Sequence, residues 1–155
     1  MTEASIRAYW QTFLSTVPSD SPYHAKSCSK GGYGDSPELA NELIQLILIG
    51  KKTATCGSLW EWEDEDQPLP RAGDIWVEVD GIGTPVCITE TTEVTIRKYN
   101  EVDADFARAE GEGDLSLNYW RQAHKNYFSR TLPKIGREFS EDIPLVCERF
   151  KVIYK

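Results

Sequence analysis

The chain has 155 residues, and its 25 acidic and 17 basic side chains give a formal net charge of −8. This length fits one domain, and a hydrophobic content of 40% excludes a disordered chain. A general polyanion-binding surface is disfavoured because such surfaces depend on net positive charge. No apolar run approaches the roughly 18 residues of a membrane helix, so we expect no membrane partner.

The first third of the chain predicts two amphipathic helices joined by a long loop. Apolar residues recur at helical spacing from Ile6 to Val17, and Pro18 ends this helix. The loop over 18–34 is long for a compact domain, and such loops often carry function. A capping segment at residues 35–38 begins the second helix, and Gly50 is a natural stop after it.

The remaining residues predict strands, two helices and a last strand. A β-prone stretch at 53–60 precedes an acidic, solvated stretch at 61–66 and a turn at 68–74. The later elements are strands at 75–80 and 85–96, helices at 103–109 and 116–130, and a strand at 143–154. Because this order lacks regular βαβ alternation, we predict an α+β fold with a small, mainly antiparallel β-barrel flanked by helices.

The four cysteines are widely spaced and form no C-x-x-C pair, so the sequence contains no zinc-finger or dithiol redox motif. The amino terminus lacks the apolar segment of a signal peptide, and we expect reduced thiols and a cytoplasmic location. Cys87 and Cys147 lie in apolar strand-like runs and are predicted to be core residues. His24 and His124 have no metal-ligand spacing, and His124 is interpreted as a structural residue.

A first candidate for chemistry follows Gly50, where two lysines and two threonine hydroxyls enter a predicted strand. A lysine whose pKa is lowered by burial can activate a neighbouring hydroxyl as a nucleophile. A bend at the helix–strand junction would bring Lys52 and Thr55 together. The alternative is a solvated lysine pair that the helix dipole favours at a helix C-terminus.

A second candidate is the segment in which Glu110, Glu112 and Asp114 alternate with glycines. Glycine permits the close approach of a ligand. A carboxylate held there could act as a general acid or base, or the three could hold a divalent metal ion. The alternative is an acidic loop in which Asp114 caps the next helix.

The charges are segregated along the chain, and this allows a local basic cleft despite the net charge. Acids cluster at 61–66 and 101–114, whereas 21–34, 50–60 and 118–137 are basic and free of acids. Aromatic side chains lie among these cations and could stack on bases. The candidate residues for binding RNA or another substrate are Lys26, Lys30, Tyr33, Lys51, Trp60, Tyr119, Arg121 and Lys125.

Two of these motifs together resemble the ASCH domain family. Gly50-Lys-Lys-Thr-Ala-Thr55 is similar to the family signature G-[KR]-K-T-x-[TE]. The segment from Glu110 to Trp120 is similar to E-G-x-G-[DN]-x-[ST]-x-x-x-W in its stand-alone bacterial members. The turn Arg71-Ala-Gly-Asp74 also fits the family. The resemblance covers about residues 36–155, and 1–35 matches the N-terminal helix of a larger bacterial subgroup.

The resemblance implies a single ASCH domain over 1–155, with a PUA-like core at 36–155 and an N-terminal extension at 1–35. It implies an RNA- or nucleotide-related role and one of two activities: a ribonuclease for single-stranded RNA assisted by a divalent metal ion, or an amidohydrolase for N4-acylated cytidine. A non-catalytic RNA-binding adaptor is a third alternative. The amidohydrolases use a Lys, a Thr and a Glu, which fall on Lys52, Thr55 and Glu112. No organic cofactor is implied. We rank the ribonuclease first, because the N-terminal segment and the basic helix offer extra surface for a polymer.

Overall fold

Five α-helices and five strands form the part of the chain that this computed structural model describes, residues 3–155. The helices are α1 (Glu3–Leu14), α2 (Pro37–Leu48), α3 (Leu59–Asp64), α4 (Ala104–Glu110) and α5 (Leu117–Thr131). The strands are β1 (Ser29–Gly31), β2 (Ala54–Ser58), β3 (Ile75–Val79), β4 (Pro85–Lys98) and β5 (Pro144–Tyr154). Short 3-10 turns lie at Pro22–Ala25, Tyr99–Glu101 and Leu132–Ile135.

The strands form one sheet in the order β1-β3-β4-β5-β2. β1 pairs with β3 in parallel, and the other neighbours pair antiparallel. The long strand β4 shifts register between Thr91 and Glu93, at a bulge that bends it. The predicted α+β class is therefore confirmed, but the sheet is not closed into a barrel. The edge strands β1 and β2 lie at opposite ends of this order, and β2 ends at Ser58, whose side chain caps α3 directly after it.

One face of the sheet is apolar and is covered by α1. Ile75, Val77 and Val79 alternate along β3 and pack against this helix. The helix contributes Ile6, Trp10, Phe13 and Leu14, all of them buried. The intervening residues Trp76 and Glu78 line a cavity instead. The period-two pattern of β3 thus separates a packing face from a polar, cavity-lining face.

A second core lies between the sheet and the helices α4 and α5. Phe106, Trp120 and Phe128 pack there against Leu145 and Cys147 of β5. Cys147 is 2% exposed and Cys87 is 0% exposed, which confirms the prediction that both are core residues. This core fixes the orientation of α4 and α5, whose ends carry the polar residues described below.

Two elements differ from the prediction. The acidic stretch predicted as solvated is the helix α3, because the Ser58 side chain accepts a hydrogen bond from the backbone of Trp60 and begins the helix. The strand β1 lies within the predicted loop, because Ser-Lys-Gly has no apolar alternation and is ordered by pairing with β3. Both elements contribute residues to the cavity.

Candidate active site

The backbone after α2 directs Lys52 into the protein and leaves Lys51 outside. Gly50 has a left-handed φ of 82°, a conformation that glycine adopts without steric cost. The backbone N–H groups of Lys51 and Lys52 both donate to the Leu46 carbonyl, at 2.9 and 3.1 Å. Thr53 N–H then donates to Ala109 O at 2.7 Å. As a result Lys51 is exposed, whereas the Lys52 side chain is 1% exposed.

The end of α4 approaches the same backbone because Gly111 follows it. Gly111 has a left-handed φ of 76° and caps the helix. A Cβ atom at this position would collide with the backbone of Lys51 and Lys52. The glycine therefore lets Glu110 and Glu112 reach Lys52.

Lys52 forms ion pairs with both of these carboxylates. Its Nζ lies 2.8 Å from Glu110 Oε2 and 3.5 Å from Glu112 Oε2. Glu110 is buried, but the Glu112 side chain is 20% exposed and lies on the cavity wall. Both residues line the cavity, and Glu112 is the more exposed of the two carboxylates.

The charges of this cluster follow from burial and pairing. Burial alone would lower the pKa of Lys52, but Glu110 and Glu112 outweigh it, and the pKa is raised. The prediction of a lysine with a lowered pKa is thus wrong, and Lys52 is an ammonium ion. Burial favours the neutral form of Glu110, but Lys52 and His124 hold its pKa below the usual range. Burial and the Glu110 charge raise the pKa of Glu112 despite Lys52.

His124 and Cys56 lie beside Glu110, and the sequence analysis gave neither a role in a site. His124 Nε2 lies 3.6 Å from Glu110 Oε1. Ligand atoms of Cys56, Glu110 and His124 all lie within 4.8 Å of one another. This is the one such group of three found within residues 3–155. Sequence spacing could not reveal it, because the residues come from β2, α4 and α5.

The predicted metal set of Glu110, Glu112 and Asp114 is not brought together. Glu110 Oε2 is paired with Lys52, and Asp114 is exposed at the start of α5. Asp114 Oδ1 accepts a hydrogen bond of 2.9 Å from Ser116 N–H. Asp114 thus forms a local turn, but the alternative prediction that it caps α5 is wrong, because the N-cap is Ser116, whose hydroxyl accepts a hydrogen bond from Tyr119 N–H at 3.0 Å.

These residues border a cavity of about 1290 Å³. Lys52, Thr55, Glu110 and Glu112 line it, together with residues from both edge strands, β1 and β2. Thr55 pairs with Glu148 across β2 and β5. Among residues 3–155 its hydroxyl makes no hydrogen bond to Lys52, although both line the same cavity.

The sheet side of the cavity contains a second buried carboxylate group. Glu78 Oε1 accepts hydrogen bonds from Tyr33 OH at 2.9 Å and from Thr89 Oγ1 at 2.7 Å. The Tyr33 ring also lies 5.9 Å from Lys52 Nζ. Burial, assisted by Glu78 and Asp74, raises the pKa of Glu148 to about 7. Acidic residues in otherwise apolar strands were the sequence signal for Glu78 and Glu148, which the sequence analysis missed.

The predicted RNA-binding residues divide into two groups. Lys26, Lys30, Tyr33 and Tyr119 line the cavity. The structure does not bring Lys51, Trp60, Arg121 and Lys125 to it. Trp60 packs against the core of α4 and α5 and lies 4.6 Å from the Arg137 guanidinium, whereas Arg121 and Lys125 are exposed on α5. Helix α5 therefore forms part of the cavity wall through Tyr119, His124 and Arg130, but its basic residues Arg121 and Lys125 do not line the cavity.

The cavity itself is more acidic than basic. Its lining contains seven acidic and five basic residues. Three of the cations are paired: Lys52 with its carboxylates, Lys26 with Glu90 at 3.8 Å, and Arg130 with Asp35 through two hydrogen bonds of 2.8 and 3.1 Å. Lys30 and Arg71 are exposed and form no ion pair within the described residues. The walls therefore suit a neutral or cationic ligand better than a polyanion.

The chain is similar to two solved bacterial structures over nearly its whole length. An ASCH domain from Lactobacillus crispatus JV V101 is 36% identical with a TM-score of 0.91, and the match covers 99% of this chain and 97% of that one. A protein from Enterococcus faecalis V583 is 34% identical with a TM-score of 0.84, and the match covers 99% and 90%. No curated protein matches the chain. None of the helices within residues 3–155 is long and apolar enough to cross a membrane.

The family assignment follows from a match that includes both motifs of the site. The ASCH domain family matches residues 29–154, from β1 to the end of β5. This range contains Lys52, Thr55 and Glu112. It also includes every strand of the sheet, and the fold is PUA-like. The chain therefore belongs to the ASCH domain family, which is generally associated with RNA binding.

Proposed function

We propose that this protein is an amidohydrolase that removes the acyl group from an N4-acylated cytidine-type nucleoside. The observation that carries the proposal is the position of Lys52, held 2.8 Å from Glu110 and 3.5 Å from Glu112 on the wall of a cavity that Thr55 also lines. A fixed ammonium, a partly open carboxylate beside it and a threonine on the wall of the same cavity provide an electrostatic stabiliser, a proton carrier and a nucleophile.

The first half of the proposed reaction forms an acyl-enzyme. The Glu112 carboxylate accepts the Thr55 hydroxyl proton while Thr55 Oγ1 bonds to the acyl carbon. The Lys52 ammonium stabilises the negative charge on the carbonyl oxygen of the tetrahedral intermediate. The carbon–nitrogen bond then breaks, and Glu112 transfers its proton to the departing amine of the base.

The second half restores the enzyme. Water attacks the Thr55 ester, Glu112 accepts a proton from this water, and the carboxylic acid leaves as the Thr55 hydroxyl regains a proton. Lys52 acts throughout as a charged group and not as the base, because Glu110 and Glu112 keep it ionised. Glu110 is a positioning residue, since its Oε2 fixes the ammonium from the buried side.

The charge of the cavity supports a single nucleoside over a polymer. Only two cations of the lining, Lys30 and Arg71, form no ion pair within the described residues, so the cavity offers little attraction to a phosphate chain, whereas a neutral nucleoside needs none. Cleavage of single-stranded RNA is the second candidate. It is favoured by Lys30 and Arg71, two exposed cations on the cavity wall that could contact a phosphate. Binding of RNA without turnover would correspond to the adaptor function.

The test compares the two substrates directly. The full chain is incubated with N4-acetylcytidine and separately with single-stranded RNA, each with and without a chelator, and the products are separated by chromatography. We expect release of cytidine and acetate while the RNA stays intact. Thr55→Val should abolish the release, whereas Thr53→Val is the matched control, because Thr53 is exposed and its hydroxyl only contacts Ala109 O. Cleaved RNA with an intact acyl nucleoside would contradict the proposal.

A further inference from the structure

Three side chains with metal-ligating atoms converge on the side of Glu110 that Lys52 does not occupy. Cys56 comes from β2, Glu110 from the end of α4 and His124 from α5. One ligand atom of each lies within 4.8 Å of the other two. All three residues also line the cavity, so the cluster borders the space that the proposed substrate would occupy.

The orientation of the His124 ring presents an unprotonated nitrogen to this cluster. Its Nδ1 lies 2.9 Å from the Trp120 carbonyl oxygen. Because a carbonyl oxygen only accepts hydrogen bonds, Nδ1 carries the proton and Nε2 has the free lone pair in the neutral ring. Stacking on Trp120, with ring centroids 4.1 Å apart, holds the ring in this position. A backbone carbonyl on one imidazole nitrogen is a common support for metal binding by the other.

Glu110 presents a second unpaired acceptor to the same point. Its Oε2 is bound to Lys52, but its buried Oε1 has no hydrogen-bond partner within the described residues. This Oε1 lies 3.6 Å from His124 Nε2. Two ligands held at about 2.1 Å by one tetrahedral ion are about 3.4 Å apart. The separation of the two acceptors therefore fits a cation between them.

We propose that Cys56, Glu110 and His124 bind a borderline-soft divalent metal ion such as Zn²⁺, with the fourth coordination position open to the cavity. Thiolate, imidazole and carboxylate ligands favour Zn²⁺ over the hard ions Mg²⁺ and Ca²⁺. When the sulfur–metal bond forms, the Cys56 thiol releases its proton to solvent.

Charge balance allows the ion to lie close to Lys52. The positive charges of the ion and of Lys52 are offset by the Cys56 thiolate, Glu110 and Glu112, and the last of these is 3.5 Å from Lys52 Nζ. Metal binding at this site does not depend on the proposed hydrolysis. A measurement of metal binding is therefore enough to test this proposal.

The experiment uses Co²⁺ as a spectroscopic probe on the full chain after treatment with a chelator. We expect one equivalent of Co²⁺ to give a thiolate-to-cobalt charge-transfer band, which Zn²⁺ then removes by displacement. Cys56→Ser should lose this band, and His124→Gln should bind Co²⁺ at least about tenfold more weakly. Cys28→Ser is the matched control and should behave as the wild type, because Cys28 is half-buried and does not line the cavity.

If a variant folds poorly, the thermal unfolding midpoint with and without Zn²⁺ provides a second test. Zn²⁺ should raise the thermal unfolding midpoint of the wild type and of Cys28→Ser, because an ion that binds only the folded state stabilises it. His124→Gln should show no such rise. The proposal is overturned if the wild type gives no charge-transfer band, as expected when only a proton lies between Nε2 and Oε1. It is also overturned if His124→Gln or Cys56→Ser binds Co²⁺ as tightly as the wild type.

Discussion

The two faces of the sheet are formed by the same strands but differ in role: one packs against α1, and the other lines the cavity. On the α1 face, Ile75, Val77 and Val79 pack against apolar helix side chains. On the cavity face, Glu78 of β3 and Glu148 of β5 lie near each other and line the same cavity as Lys52. Alternation along each strand produces this division, because successive side chains point to opposite faces.

Along these strands, a residue that packs in the core is followed directly by one that lines the cavity, so the two roles are one position apart in the sequence. Apolar burial contributes about 25 cal/mol per Å² removed from water. Burying a charge instead costs several kcal/mol unless it is paired. Lys52 satisfies this requirement through Glu110 and Glu112, but one oxygen of Glu78 and one of Glu110 remain without a hydrogen-bond partner among residues 3–155. Burying these oxygens on the cavity face therefore lowers the free energy of unfolding, whereas the apolar α1 face has no such cost.

The largest effect is expected from removing the buried charge of Lys52. Lys52→Met leaves Glu110 buried without its partner, and we expect a loss of about 3–5 kcal/mol in the free energy of unfolding. Lys51→Met is the matched control, since Lys51 is the exposed neighbour, and should change stability by less than about 0.5 kcal/mol. Urea denaturation of both variants measures the difference. Equal stabilities would show that the Lys52 ion pairs contribute nothing.

Removing side-chain volume from the apolar α1 face should lower the free energy of unfolding without changing kcat. Val77 is 0% exposed within the α1 cluster, so Val77→Ala is expected to cost about 2 kcal/mol. Its kcat for the acylated nucleoside should equal that of the wild type under conditions in which both are folded. Steady-state kinetics with folding checked by circular dichroism provide the test. A tenfold lower kcat would mean that the two faces are not independent.

A pH-dependent effect on stability is expected at Glu148. Its pKa is raised from 4.5 to about 7, so the neutral carboxyl favours the folded state. That stabilisation is complete below about pH 4.5 and is lost as the pH rises through 7. Glu148→Gln should therefore gain up to about 3 kcal/mol relative to the wild type between pH 4.5 and pH 8. Urea denaturation at both pH values measures this, and a constant stability difference would contradict it.

Much of the fold could be predicted from periodicity and capping. The helices α1, α2 and α5 and the strands β3, β4 and β5 follow the apolar patterns of the sequence. The strand β1 could not be predicted, because Ser29–Gly31 is ordered by a partner distant in sequence. The open sheet could not be predicted either, since alternation within strands does not specify which edges meet.

The site could be predicted only in part. The two motifs that resemble the family directed attention to Lys52 and Glu112, which lie 3.5 Å apart. The motifs could not give the charge of Lys52, because that charge depends on a folded distance to Glu110. Cys56 and His124 are 68 positions apart in the sequence, so no local spacing could indicate that both lie beside Glu110.

The most direct test of the account is the kcat of Glu112→Gln compared with that of Asp114→Asn for N4-acetylcytidine. Glu112 lies 3.5 Å from Lys52 on the cavity wall, whereas Asp114 is an exposed carboxylate two residues later. We predict that Glu112→Gln lowers kcat by about 10²- to 10⁴-fold, the usual contribution of a general acid or base, and that Asp114→Asn leaves kcat within about twofold. Equal kcat values for Glu112→Gln and the wild type would contradict the proposed role of the cavity carboxylate.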